Sequence, residues 1–276
     1  MSSARTKVAS LALLALGMVA GPVFAEDKVS EDAVIQKVGH GEINWSAKTV
    51  TATGSGAANL KDGPVAVARL NAERAAKLDA LRNILETLQG VQVDGSRNLG
   101  DMMSNGTIRA KITGQAKRFK IVDQRYYSDG SVDVVVQMPI DNELTSALNV
   151  RSKKKSKLNT KGSETFTGLI VNARGLGLTP SIVPRILDEK GKEVYGASVV
   201  SDEGMKQGGI ASYVQKEEAA KDEGLVGKSP LVLKAIRLDK KSKTDLVITN
   251  ADAAKLRDKT LNQSFLANGK VVIITD

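Results

Sequence analysis

The sequence predicts an α+β fold in two small domains, each a mostly antiparallel sheet packed with one or two helices. Three observations predict it. Residues 64–89 carry apolar side chains at helical spacing. Val132, Val134, Val136, Met138 and Ile140 recur at every second position behind an Asp129-Gly130 turn signal. After a basic run at residues 151–164, a second and unrelated set of short apolar segments begins. The expected organisation is residues 1–25 as a signal peptide, 26–40 as a polar arm, 41–150 as a first α+β domain, 151–164 as a basic linker and 165–276 as a C-terminal α+β domain.

The N-terminus has the three parts of a secretory signal. Arg5 and Lys7 give a positive start, and Ala9 to Ala20 form an apolar core that ends at Gly21-Pro22. Val23 and Ala25 are the small residues that precede a cut before Glu26. The core is shorter than the roughly 20 residues of a spanning helix. Beyond the polar arm, Ile43, Trp45, Val50 and Ala52 read as two short strands or one bent strand, closed by the small residues from Thr51 to Gly56. Asp62-Gly63-Pro64 starts a helix, since proline in the first turn forfeits no hydrogen bond. Its expected buried face is Val67, Leu70, Leu78, Leu81, Leu85 and Leu88, with alanines around the remaining arc that let a neighbour approach closely, and Gly90 as the stop.

Val91–Val93 reads as a short strand and Leu99–Met103 as a helical turn. Ile108, Ile112 and Ala116 lead into a hairpin of residues 119–127 and 132–140, whose second strand is expected at the sheet edge because Pro139 cannot donate to a ladder. In the second half, strands are expected at Phe166–Val171, Leu231–Ile236 and Leu246–Thr249, with a hairpin of residues 182–187 and 193–195 turning at Lys190-Gly191. A weak helix is expected at 211–220. A second, capped by Thr249 and Asp252 or by Asn250, is expected to run to about Leu266. Val271–Thr275 reads as a central strand.

Composition narrows the chemistry. With no Cys there are no disulfides, no thiolate metal site, no Cys nucleophile and no lipid on an N-terminal Cys. The formal charge is +9, and removing Arg5 and Lys7 with the signal leaves +7. Such a chain favours acidic partners. Aromatic residues are 3% of the sequence, too few for base-stacking platforms, so no nucleic-acid partner is expected. The basic run offers Arg151, Lys153, Lys154, Lys155, Lys157 and Lys161, read first as a solvated linker and second as a contact for anionic lipid or glycan. The lone His40 has no second ligand for a metal. The runs Gly54–Asn59 and Gly175–Pro180 lack the third glycine of a dinucleotide loop and read as turn glycines. Asp188-Glu189, Glu217-Glu218 and Asp222-Glu223 are adjacent pairs whose side chains point apart. No catalytic residue, cofactor or metal is therefore expected.

Trp45, then Ala52-Thr53-Gly54-Ser55-Gly56, then an alanine-rich helix ending Ala80-Leu81-Arg82-Asn83-Ile84-Leu85-Glu86, then Gly90-Val91-Gln92-Val93, resembles the domain of the LPP-twenty lipoprotein family over residues 43–140. The N-terminal part of flagellar assembly protein T is similar. The resemblance implies an envelope protein without catalytic residues, associated in some members with the outer membrane or the flagellar basal body. The lipoprotein members need a Cys after the signal, and Glu26 stands there. The expectation is a non-enzymatic envelope protein for assembly or interaction, linked to motility by the resemblance. It would be periplasmic or secreted, peripheral to the outer membrane and not lipidated. An envelope or basal-body protein, or a second copy, would be its partner. The alternative is an envelope enzyme acting on peptidoglycan or another glycan. The expected interaction surface is Trp45 with Val132, Val134 and Val136 of the hairpin, because an open sheet edge recruits another strand. Trp45 also fits a core position.

Overall fold

In the computed structural model, the first half builds a five-stranded antiparallel sheet: β1 (Ile35–Val38), β2 (Gly41–Asn44), β3 (Thr49–Gly56), β4 (Lys120–Tyr126) and β5 (Val132–Pro139), in the order β1-β2-β3-β5-β4. The structure describes residues 32–59, 61, 63–148 and 155–276. The signal peptide, Asp62 and the basic residues Arg151, Lys153 and Lys154 lie outside these. The polar arm is not loose where it is described. Residues 35–38 pair with β2, and Trp45 donates its backbone N–H to the Val34 carbonyl at 2.9 Å.

Helix α1 (Val65–Gln89) lies on one face of this sheet, and its orientation corrects the expectation. Ala68, Ala72, Ala76 and Ala80 are buried, whereas Leu70 is 54% and Leu78 69% exposed. Gly54 and Gly56 are the reason. They are not turn glycines but strand residues of β3 that bring two backbones into contact. A Cβ on Gly54 would stand 2.1 Å from the Ala80 nitrogen, and one on Gly56 would stand 1.9 Å from the Ala72 oxygen. Only alanine fits between surfaces that close, so the leucines turn outward. Further along, the helix buries Ile84 and Leu88, and Asn83 Nδ2 donates to the Thr53 carbonyl at 2.8 Å.

Three short helices complete the first half: α2 (Leu99–Met102), α3 (Gly106–Ala116) and α4 (Asn142–Ala147). Asn98, Asn105 and Asp141 cap them by accepting backbone N–H groups. Between α1 and α2, Val91 to Val93 contributes one isolated bridge, Gln92 to Asn98, rather than a strand. The β4–β5 hairpin turns through Gly130 at φ +84°, and the Asp129 carboxylate accepts the Ser131 N–H at 2.9 Å. β5 is central rather than at the edge, a second correction. Pro139 is tolerated because Ile140 points its N–H at Lys48 on the β3 side, so Pro139 faces the β4 side, where pairing has already ended at Gln137.

The second half contains β6 (Glu164–Thr165), β7 (Gly168–Asn172), β8 (Ile186–Leu187), β9 (Glu193–Tyr195), α5 (Asp202–Gln207), β10 (Ser212–Val214), α6 (Glu217–Ala220), α7 (Glu223–Val226), β11 (Pro230–Lys234), β12 (Arg237–Leu238), β13 (Leu246–Val247), α8 (Asn250–Leu256), β14 (Leu261–Asn262), α9 (Ser264–Ala267) and β15 (Val271–Ile274). Its main sheet, β10-β15-β7-β11, is parallel throughout and so departs from the antiparallel expectation. β15 is central, as its unbroken apolar run requires. Val271 and Ile273 enter the main core, while Val272 and Ile274 meet Ile170, Ala220 and Val226 on the other face. A smaller sheet, β12-β13-β8-β9, and the pair β14-β6 complete the α+β architecture. The helix expected at 211–220 is instead β10 followed by the single turn of α6. The helix capped by Thr249 ends at Leu256.

The two halves carry separate sheets but share one hydrophobic core, and the described residues form one compact unit. Backbone bonds join them: Ile182 and Val183 donate to Gln92 and Val93 at 3.0 and 2.8 Å. The described part of the basic run is tied to the second half. Ser156 donates its N–H to the Ser198 carbonyl at 2.7 Å, and Lys155 reaches the Val200 carbonyl at 2.6 Å and Asp202 at 3.5 Å. Lys157 and Lys161 are exposed.

Candidate functional site

The structure does not bring the anticipated interaction residues to a surface. Val132, Val134 and Val136 are fully buried under α1, and β3 and β4 pair with both edges of β5, so neither its face nor its edge is open. Trp45 is also core. Its indole Nε1 donates to Gln36 Oε1 at 2.9 Å, and its ring meets that of Tyr213 edge-on, with centroids 5.8 Å apart.

The open edge belongs to the other hairpin strand. β4 pairs with β5 alone and ends the sheet. A break in register between Ile121 and Asp123 leaves Val122 without a cross-strand partner and 51% exposed. Tyr126 connects this edge to α1. Its hydroxyl donates to Glu73 Oε2 at 3.4 Å, and the Arg69 guanidinium lies 5.8 Å from its ring centroid. Beyond them the helix presents Val67, Leu70 and Leu78 to solvent. Edge and helix each carry exposed apolar side chains among charged ones.

A second feature lies where the halves meet. A cleft of about 220 Å³ is walled by Trp45, Lys48 and Ile140 from the first half and by Ser181, Ile182, residues 206–211 and Tyr213 from the second. Lys48 sits in the β2–β3 turn, where Asn44 Oδ1 accepts the Ala47 N–H at 2.8 Å. It is the one non-glycine among the described residues with positive φ, at +55°. Such a backbone persists only where its surroundings hold it. Ile140 takes its carbonyl at 2.7 Å, and its ammonium donates to the Gly208 carbonyl. Burial pulls that ammonium below its ordinary pKa.

Opposite, the Tyr213 hydroxyl donates to the Ser181 carbonyl at 2.9 Å and accepts the Ser181 N–H at 3.0 Å, and burial raises its pKa. Ser181 is 1% exposed, and its Oγ has no hydrogen-bond partner. Of the cleft residues the sequence singles out Trp45, as an interaction or core residue, but not Lys48, Ser181 or Tyr213, although the Gly208-Gly209 pair is a local signal.

The carboxylate pairs hold structure together. Asp188 and Glu189 accept backbone N–H groups, Glu217 pairs with Lys221 at 2.9 Å, and Asp222 caps α7. His40 is exposed in the β1–β2 turn. No cluster of three or more metal-ligating side chains occurs among the described residues, and no helix there is long and apolar enough to cross a membrane.

A family model described as Treponema pallidum Tp0624, second domain, matches residues 168–276, from the first residue of β7 to the last of the chain. No curated protein matches the chain.

Proposed function

We propose that this chain is a non-catalytic assembly or interaction protein of the bacterial cell envelope, and that it docks a partner protein on the surface made by β4 and the outer flank of α1. One observation carries the reading: β4 ends the sheet with one side unpaired, and Val122 on that edge and Leu70 and Leu78 on α1, a helix seated through its alanine face, are all exposed. An unpaired strand edge that carries exposed apolar side chains is suited to strand addition. The bulge at Val122 and the charges of Lys120, Asp123 and Arg125 restrict that pairing to a matched partner. The envelope assignment rests on the secretory pattern of residues 1–25 and on the resemblance to the LPP-twenty domain. The latter also supplies the link to motility.

Photo-crosslinkers at Val122 and Leu78, introduced into the protein in living cells, are expected to capture the same envelope protein, and a crosslinker at Val232 on β11 is expected not to. Leu78→Lys should abolish capture at Val122 and change stability by less than about 0.5 kcal/mol, because the side chain is exposed. Capture that ignores this substitution, or no discrete adduct at either position, removes the proposal. Export is checked separately: the native protein should begin at Glu26.

A further inference from the structure

We propose that the cleft between the halves binds a small organic carboxylate, with its charged end against the Lys48 ammonium and its apolar body between Trp45 and Ile182. The site is distinct from the β4–α1 surface, and the inference does not depend on that docking reading.

The first argument is charge. The half-buried Lys48 side chain donates to the Gly208 carbonyl, a neutral partner, and burial pulls its pKa down. No carboxylate lies within ion-pairing range of it among the described residues. Asp141, on the same wall, is occupied in capping α4 through the N–H groups of Glu143 and Leu144. A partly desolvated cation with only a neutral acceptor is left under-compensated, and an anion entering the cleft offsets that.

The second argument is the Ser181 hydroxyl. A buried side-chain oxygen with no partner is uncommon in native proteins. Here its residue lines the same cleft, next to a Tyr213 hydroxyl already engaged twice by the Ser181 backbone. It is free to bond a second polar atom on the ligand.

The third argument is shape and polarity. At roughly 30 Å³ per water, the cleft holds the equivalent of about seven waters. That suits a small metabolite rather than a polymer segment. Its wall is mainly apolar, with Trp45, Ile140, Ile182 and Ile210 contributing, which favours an acid with a hydrocarbon body over a compact inorganic anion. Lys206, also on the wall, is already engaged within the protein. One ammonium matches one carboxylate, and the two charges of a phosphate would be left half-compensated.

Trp45 is the only tryptophan of the chain, so its emission reports on the cleft directly. The mature protein is titrated with cyclohexanecarboxylate, with the neutral isostere cyclohexanecarboxamide, and with inorganic phosphate. The carboxylate is expected to give a saturable change in Trp45 emission and to bind about tenfold more tightly than the amide, the worth of one charge-assisted hydrogen bond. Phosphate is expected to give no change. Lys48→Met should make acid and amide equivalent, and Ser181→Ala should weaken both. If Lys48→Met does not fold, the comparison of acid with amide on the unaltered protein decides alone. The proposal is overturned by no saturable response to the acid up to about 10 mM, by equal affinity for acid and amide, or by phosphate binding as tightly as the acid.

Discussion

Replacing Gly56 by valine is expected to lower stability by at least about 3 kcal/mol, or to prevent folding altogether. The glycine has no special φ to protect. Its importance is contact: the first added carbon would lie 1.9 Å from the Ala72 carbonyl oxygen and 2.7 Å from the Ala76 nitrogen. Those are helix backbone atoms, which cannot swing aside as a side-chain tip can. Helix α1 would have to lift from β3, opening space along Ala68, Ala72 and Ala76 and exposing the valines of β5 beneath. A domain stable by about 5–15 kcal/mol tolerates little of that. Urea unfolding followed by circular dichroism measures it. Gly114→Ala is the control, because that glycine is exposed inside α3 with nothing within 4 Å of the added carbon. It should raise stability by about 0.5–1 kcal/mol. An unchanged midpoint for Gly56→Val would mean that helix and sheet are not in backbone contact.

Periodicity locates α1 within a residue of its start and stop, and alternation with the Asp129-Gly130 turn signal locates the hairpin. It could not say which face of α1 is buried, because this helix has two apolar faces. The deciding information sat elsewhere: alanines spaced four apart at 68, 72, 76 and 80, and two glycines spaced two apart at 54 and 56, are complementary surfaces. Treating Gly54 and Gly56 as turn residues concealed that match. Strand order was equally hidden. Pro139 marks a true edge, but only a local one beyond the end of β4, and it says nothing of the rest of β5. In the second half the strands are two to five residues long, and the parallel pairing of its main sheet rests on connections that no local pattern encodes. The cleft was illegible for the same reason. Lys48 and Ser181 are unremarkable in their own segments, and they meet only because Ile182 and Val183 dock on Gln92 and Val93.

Asp188→Asn is expected to cost about 2 kcal/mol at neutral pH, through loss of hydrogen bonds to a charged acceptor. Asp188 is 4% exposed. One carboxylate oxygen accepts the Lys190 and Lys192 N–H groups at 3.0 and 2.8 Å, and the other accepts Arg257 Nη1 at 2.8 Å. It therefore closes the β8–β9 turn and ties it to the residue that ends α8. Burial pushes its pKa up, but the Arg257 guanidinium and the two backbone donors outweigh burial and hold it below the ordinary carboxylate value. The sign follows. A carboxyl more acidic in the folded than in the unfolded chain contributes its full stability above the unfolded value of about 4, and loses it as pH falls through the lower folded value. Asparagine cannot ionise, so the gap between the two proteins should be widest at neutral pH and should narrow steadily below pH ~4. Other carboxylates titrate alike in both proteins and cancel in the difference. Urea midpoints at pH 7 and pH 3 test this directly: a gap of the same size at both would trace the loss to shape rather than charge and would refute the assignment of Asp188 as an ionised, Arg257-held turn closure.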